Sequence, residues 1–247
     1  MYIDSILLNS PIEESSYLSN LPAVKHLIRE GKLSFKNNVT FFVGENGTGK
    51  STLIEAIAVA FGFNPEGGSK NFKFSTQNSH SDLWKHLTIS KTKFPKDGYF
   101  LRAESFYNVA SNIDELDRAP AGAPPIIDGY GGISLHKQSH GESFMSLVQN
   151  RFFGNGLYIL DEPEAALSPT RILTLIAEID ALVKDNSQFI TATHSPMLLA
   201  FPEAEILELT AEGIRPIKYQ DCEHYKITRS FLDDPQRTLK YLLEQDD

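Results

Sequence analysis

The chain has 247 residues, 41% hydrophobic and 22% charged, which is ordinary for one large globular domain or two small ones and excludes disordered and fibrous classes. Its net charge of −9, from 23 Lys and Arg against 32 Asp and Glu, argues against a strongly basic nucleic-acid binder. No apolar run is long enough to span a membrane. The opening segment lacks the basic lead-in of a signal peptide, and the single cysteine, Cys222, allows no internal disulfide, so a cytoplasmic location is expected.

Charge is uneven along the chain. Residues 1–102 hold 12 basic and 9 acidic side chains, and 103–247 hold 11 and 23. Within 70–102 there are 7 basic against 2 acidic residues, which reads as a solvated face or as a local basic lobe that keeps DNA contact open.

In chain order, apolar stretches at Tyr2–Leu8 and Asn38–Val43 predict strands, with a short helix over Ala23–Arg29 between them. After Val43 comes a glycine-rich turn, then apolar residues at helical spacing over Ser51–Phe61, closed by Gly62. Residues 62–104, rich in Gly, Ser, Asn and Lys, are expected to form a small antiparallel β lobe containing Leu87–Ser90 and Gly98–Arg102. Residues 105–118 are expected to be helical and 119–132 a Pro/Gly loop. Farther on, Leu157–Leu160 and Gln188–Ala192 read as strands around a helix at Thr170–Leu182. Ala204–Leu209 and Ile214–Tyr219 read as a hairpin turning at Glu212-Gly213, followed by helices near 224–232 and 235–244. Alternating strands and helices predict an α/β fold around a mainly parallel sheet, in a single domain over 1–247.

The strongest chemical signal is Gly44-Glu45-Asn46-Gly47-Thr48-Gly49-Lys50-Ser51-Thr52, a phosphate-binding loop between an apolar strand and a helix. Glycines let backbone N–H groups turn inward around a phosphate, and the following helix adds its positive end. Lys50 is expected on the β- and γ-phosphates of ATP and Ser51 on Mg²⁺. Four fixed positions would match by chance in about one chain of this length per hundred, and the strand–turn–helix context lowers that further.

A second signal is Leu157-Tyr158-Ile159-Leu160-Asp161-Glu162, an apolar strand ending in two carboxylates. A triphosphatase uses one carboxylate for the metal and another for the attacking water, so Asp161 is assigned to Mg²⁺ and Glu162 to the water. A third is the strand Gln188–Ala192 leading to Thr193-His194. Ligands sit at the carboxyl ends of parallel strands, so His194 is a candidate contact to the γ-phosphate or the water. His80, His86, His136, His140 and His224 show no spacing that suggests metal ligands, and no zinc is expected.

Residues 138–143, Gln-Ser-His-Gly-Glu-Ser, precede the Asp-Glu strand by about 20 residues and lead into an apolar helix. They resemble the Leu-Ser-Gly-Gly-Gln signature of ABC-type ATPases, matching at Ser139 and Gly141 and departing at Gln138, His140 and Glu142. The resemblance implies a P-loop NTPase fold of the ABC type. It also implies that Ser139 and Gly141 bind the γ-phosphate held by a second copy, so that a homodimer encloses two ATPs. A family glutamine that touches Mg²⁺ would fall at Glu104, which reads equally well as a helix cap; Gln77 is the alternative. Phe35 is a candidate for stacking on adenine. After Glu162 the chain reads Pro163-Glu164-Ala165-Ala166-Leu167-Ser168-Pro169, unlike transporter subunits and similar to stand-alone bacterial AAA-family ATPases related to the RecF, SMC and OLD groups. No coiled-coil arm or appended nuclease domain is expected. The resemblance implies a soluble ATPase acting as a conformational switch, with DNA or a nuclease as an associated partner in repair or phage defence. The alternatives are the ATP-binding subunit of a membrane transporter, and a DNA-binding module that keeps ATP as a structural ligand.

Overall fold

The computed structural model describes residues 1–69, 81–102, 106–118 and 124–243. Two sheets organise them. The larger has six strands, β3 (Val39–Gly44), β5 (Asp97–Arg102), β6 (Gly156–Asp161), β7 (Gln188–Ala192), β8 (Glu205–Thr210) and β9 (Gly213–Pro216), in the order β5-β6-β7-β3-β8-β9. The first five are parallel, and β9 turns back against β8 as the expected hairpin. The smaller sheet is antiparallel and three-stranded, with β1 (Ile3–Leu8) between β2 (Lys32–Ser34) and β4 (Leu87–Lys91).

The central strands are apolar because both faces are covered. Phe42, Ile159, Ile190 and Leu207 face α1 (Pro22–Glu30), α2 (Lys50–Phe61) and the small sheet. Phe41, Tyr158, Leu160 and Phe189 face α3 (Phe106–Arg118), α4 (His140–Arg151) and α5 (Pro169–Lys184). This alternation follows from the two-residue period of a strand. One buried polar side chain ties the two sheets together: Gln188 Oε1 accepts the N–H groups of Tyr2 and Ile3 at 2.6 and 2.9 Å, and its Nε2 donates to the Ile3 carbonyl at 2.9 Å. Every polar atom of that amide is thereby used, as burial requires.

The expected small antiparallel sheet is present, but its strands are not all those read from the sequence. Leu87–Ser90 does enter an antiparallel sheet, but its partners β1 and β2 come from the first 34 residues. Gly98–Arg102 belongs instead to β5 at the edge of the main parallel sheet. Residues 70–80 of the expected lobe lie outside the described residues. Four of the five basic side chains described in that window sit against partners: Lys85 on Asp82, Lys91 over the Phe61 ring, Lys93 over the Tyr2 ring and Arg102 on Glu55.

The chain closes with a short helix α6 (Pro196–Leu199) after β7, then α7 (Glu223–Asp233) and α8 (Pro235–Leu243) beyond the hairpin. No helix among the described residues is long and apolar enough to cross a membrane.

Candidate active site

The parallel register brings four strand ends to one edge. Phe42 and Asp161 both pair with Ala192, and Arg102 pairs with Asp161. Loops leaving β3, β6 and β7 therefore emerge side by side at the carboxyl edge, where ligands sit in such sheets.

The loop after β3 runs from Gly44 to Gly49. Glu45, Asn46 and Gly47 are exposed at its rim, while Thr48 is buried and Gly49 partly so. Thr48 fastens the turn by donating its hydroxyl to the Glu45 carbonyl at 2.8 Å and by accepting the Ala23 N–H at 3.2 Å. Gly44 has φ +144°, and an added Cβ would be driven into the Leu209 carbonyl of the adjacent strand, so only glycine fits there. Gly49, at φ +93°, is the N-cap of α2. Lys50, Ser51 and Thr52 form the first turn of that helix, whose free N–H groups and dipole favour an anion.

Lys50 is 5% exposed. Its Nζ donates to the Gly44 and Glu45 carbonyls at 2.7 and 2.9 Å, curling back over the loop. Burial pushes its pKa down, against the opposing pull of Glu162, Asp161 and Glu164. Ser51 Oγ donates to Asp161 Oδ1 at 3.1 Å. A hydroxyl and a carboxylate converging at the phosphate loop are hard oxygen donors of the kind Mg²⁺ prefers, so the residues present fit that ion. Asp161 is also approached by Arg102 Nε at 3.9 Å, while Arg102 Nη1 holds the buried Glu55 at 2.6 Å. Arg102 and Glu55 form an ion pair beneath the site that the sequence reading missed. Glu55 belongs to no motif; the β5–β6 register places Arg102 beside Asp161, and α2 carries Glu55.

Glu162 follows β6 in the left-handed conformation, φ 51° and ψ 53°. Such a conformation costs of order 1–3 kcal/mol for a residue with a side chain, and Pro163 next to it disfavours helical backbone further. The turn is held because the Glu162 N–H donates to the Ala192 carbonyl at 3.0 Å. The carboxylate thus projects to the strand edge, where His194 Nε2 lies 3.4 Å from Glu162 Oε1. The His194 backbone N–H donates to Glu164 Oε1 at 2.5 Å. Burial raises the Glu164 pKa, and the bond from His194 partly offsets this. Glu164 was noted in the sequence only as a departure from transporter subunits. Here it anchors the histidine's backbone.

His224, set aside in the sequence reading, sits in the first turn of α7, and its Nε2 is 2.7 Å from His194 Nδ1. No sequence signal could have found it, because 30 residues separate the two rings and His224 follows no strand. His26, His194 and His224 all have pKa values below the ordinary 6.5, chiefly through burial; Arg29 adds for His26, Lys50 for His194, and His194 and Lys50 for His224. All three are favoured neutral in the fold, so the unfolded chain takes up their protons first. Stability is therefore full above pH 6.5 and is lost as pH falls toward the depressed values. Thermal melts between about pH 7.5 and about pH 5.5 are expected to show Tm falling on the acid side, with a shallower fall in His194→Gln.

Ser139 is the N-cap of α4. Its N–H and its hydroxyl both donate to Glu142 Oε2, at 2.9 and 2.6 Å, and these bonds hold the Glu142 carboxyl below its ordinary pKa. Arg171 of α5 lies on the same group, 3.5 Å from Ser139 Oγ and 3.4 Å from Glu142 Oε1. A Cβ on Gly141 would strike Arg171 and the Ala166 carbonyl. The signature-like segment is thus a capping box backed by an arginine, a partner absent from the sequence reading.

Phe35 is a correction: it is 3% exposed and packs its ring edge-on to Phe42, so no base can stack on it. Glu104, Gln77 and His80 lie outside the described residues.

Residues 23–115 match the family described as an AAA domain. No curated protein matches the sequence. Among solved structures, an ATP-binding cassette of an ABC transporter, MJ1267, aligns with a TM-score of 0.50 at 14% identity, covering 98% of this chain and 99% of that one. A putative metal-chelate type ABC transporter in an inward-facing conformation gives 0.48 at 11% identity, over 92% and 88% of the two chains. The SMC head domain from Thermotoga maritima gives 0.44 at 15% identity, over 88% and 100%. The MJ1267 likeness shows the fold, that of an ATP-binding cassette. The family match covers the phosphate loop itself.

Proposed function

We propose that this chain, an ABC-type P-loop ATPase in fold, binds Mg-ATP at the carboxyl edge of its parallel sheet and hydrolyses it. The observation that carries the reading is the convergence of Lys50, Ser51, Asp161, Glu162 and His194, from three separate loops, on one strand edge. The Gly44–Gly49 backbone and the first turn of α2 take the phosphates, with Lys50 turning from its two carbonyls to the terminal phosphates. Ser51 and Asp161 would hold Mg²⁺, which would supply positive charge against the triphosphate. Glu162 orients a water and accepts its proton as that water attacks the γ-phosphorus in line and ADP leaves. His194 steadies Glu162 and the γ-phosphate.

Ser139 and Gly141 would meet the γ-phosphate of a second copy across a two-fold axis, giving a closed dimer with two ATPs. Glu142 adds negative charge beside that contact, and Arg171, already on Glu142, offsets it. Closing on ATP and opening after hydrolysis would make the chain a switch. The MJ1267 cassette is described as part of an ABC transporter, and the fold alone suits that setting as well. No match supports the DNA or nuclease partner expected from the sequence. The direct test is inorganic phosphate release by the purified chain with Mg-ATP, against EDTA and against Ser51→Ala. Metal-dependent release, weakened in the variant, is expected; equal release in all three would reject the site.

A further inference from the structure

We propose that His224 is a positioning residue, which fixes the tautomer and rotation of the His194 ring through the hydrogen bond between His224 Nε2 and His194 Nδ1. The inference rests on the reading above, in which His194 works beside Glu162. Its geometry stands apart from that reading.

A neutral imidazole carries one N–H. The nitrogen of His194 that faces Glu162 is Nε2, at 3.4 Å from a carboxylate that can only accept. That nitrogen therefore carries the proton. Nδ1 is left with its lone pair, and the partner 2.7 Å away has to donate. His224 Nε2–H is that donor. The charged groups that face the two rings are Lys50 from α2, Glu162 and Glu164 from the turn after β6, and Glu223 from α7 itself. Burial and Lys50 favour the neutral forms of both rings, which the donor–acceptor pairing needs, since two imidazoliums have no acceptor between them.

The bond is backed on both sides. The His194 main chain is fixed by Glu164 at 2.5 Å. The start of α7 is fixed by fully buried Cys222 and by the Tyr219 and Tyr225 rings, 4.5 Å apart. Without His224, the His194 ring can populate the other tautomer, which turns a lone pair toward the Glu162 carboxylate and repels it. Partners that orient a metal-ligating histidine through its far nitrogen change activity by about 10- to 100-fold when removed, and the lower end of that range is the scale expected for a histidine that orients a carboxylate.

The test has two arms. In the nucleotide-free 247-residue chain, long-range ¹H–¹⁵N spectra of the histidine rings should show His194 protonated at Nε2. That state should persist in His224→Gln, whose amide N–H₂ reaches the same place, and become a tautomer mixture in His224→Ala. In Mg-ATP turnover, His224→Ala should lower kcat by about 10-fold with KM within about 3-fold, and His224→Gln should recover most of kcat. His194 protonated at Nδ1 in the unaltered chain would overturn the proposal. So would a His224→Ala kcat equal to the parent while His194→Ala loses activity. If His194→Ala itself keeps full turnover, the assignment of His194 in the proposed function fails, and the tautomer measurement alone then decides the role of His224.

Discussion

Replacing Glu162 by Gln is expected to lower ATP turnover by about 10³-fold while leaving ATP affinity close to that of the parent chain. The size follows from what a positioned general base contributes, about 10²- to 10⁴-fold. The amide keeps the shape of the carboxylate and can still hold a water, but it cannot accept the proton as bond formation proceeds. Glu162 makes none of the phosphate-loop bonds, which belong to Gly44–Gly49, Lys50 and Ser51, so binding should survive. The left-handed turn at Glu162, secured by its N–H bond to Ala192, accepts Gln as readily as Glu. Single-turnover phosphate release and nucleotide titration on the same preparation separate the two effects. A variant with parental turnover would mean that the proton goes elsewhere, to the phosphate itself or to another base.

The second large effect is on binding. Lys50→Ala is expected to weaken ATP affinity by about 30- to 5000-fold, the range for deleting one partner of a desolvated charge pair. Lys50 is nearly fully buried, with its ammonium held over the loop by two carbonyls. Its side chain is already confined beside the loop, so turning from the two carbonyls to the triphosphate gives up little conformational freedom. Lys50 lies in the first turn of α2, where Ala is a good helix former, so the variant should fold. Calorimetric titration with ATP and with ADP distinguishes the causes. A lysine acting on the terminal phosphates predicts a larger loss for ATP than for ADP, and equal losses would point to a collapsed loop instead.

Much of this site was legible in the sequence because its parts are local. The loop from Gly44 to Ser51 needs only a strand before it and a helix after it, and β3 and α2 lie within two residues of the expected bounds. The carboxylate pair and His194 were readable as polar residues at the ends of apolar strands. What stayed hidden depends on long-range pairing. The antiparallel sheet joins residues about 80 positions apart, Leu7 with Thr88 and Leu8 with Leu87, through strands of three to six residues that carry little pattern of their own. Gly98–Arg102 looked like a lobe strand because its neighbours are polar, yet β6 claims it as a parallel partner. Phe35 looked available for a base, but its position beside Phe42 places it in the core. His224, Arg102 and Arg171 each reach the site, or the segment beside it, from an element whose placement only the folded chain reveals.

The most direct test of the shared-site account is the solution mass of the Glu162→Gln variant by light scattering, with and without Mg-ATP. The account predicts a particle of the 27.6 kDa chain mass without nucleotide and of twice that mass with it, and a return to the single mass when Ser139→Arg is added. A variant that binds Mg-ATP tightly and keeps the mass of one chain would contradict it, because the γ-phosphate would then have no second copy to meet.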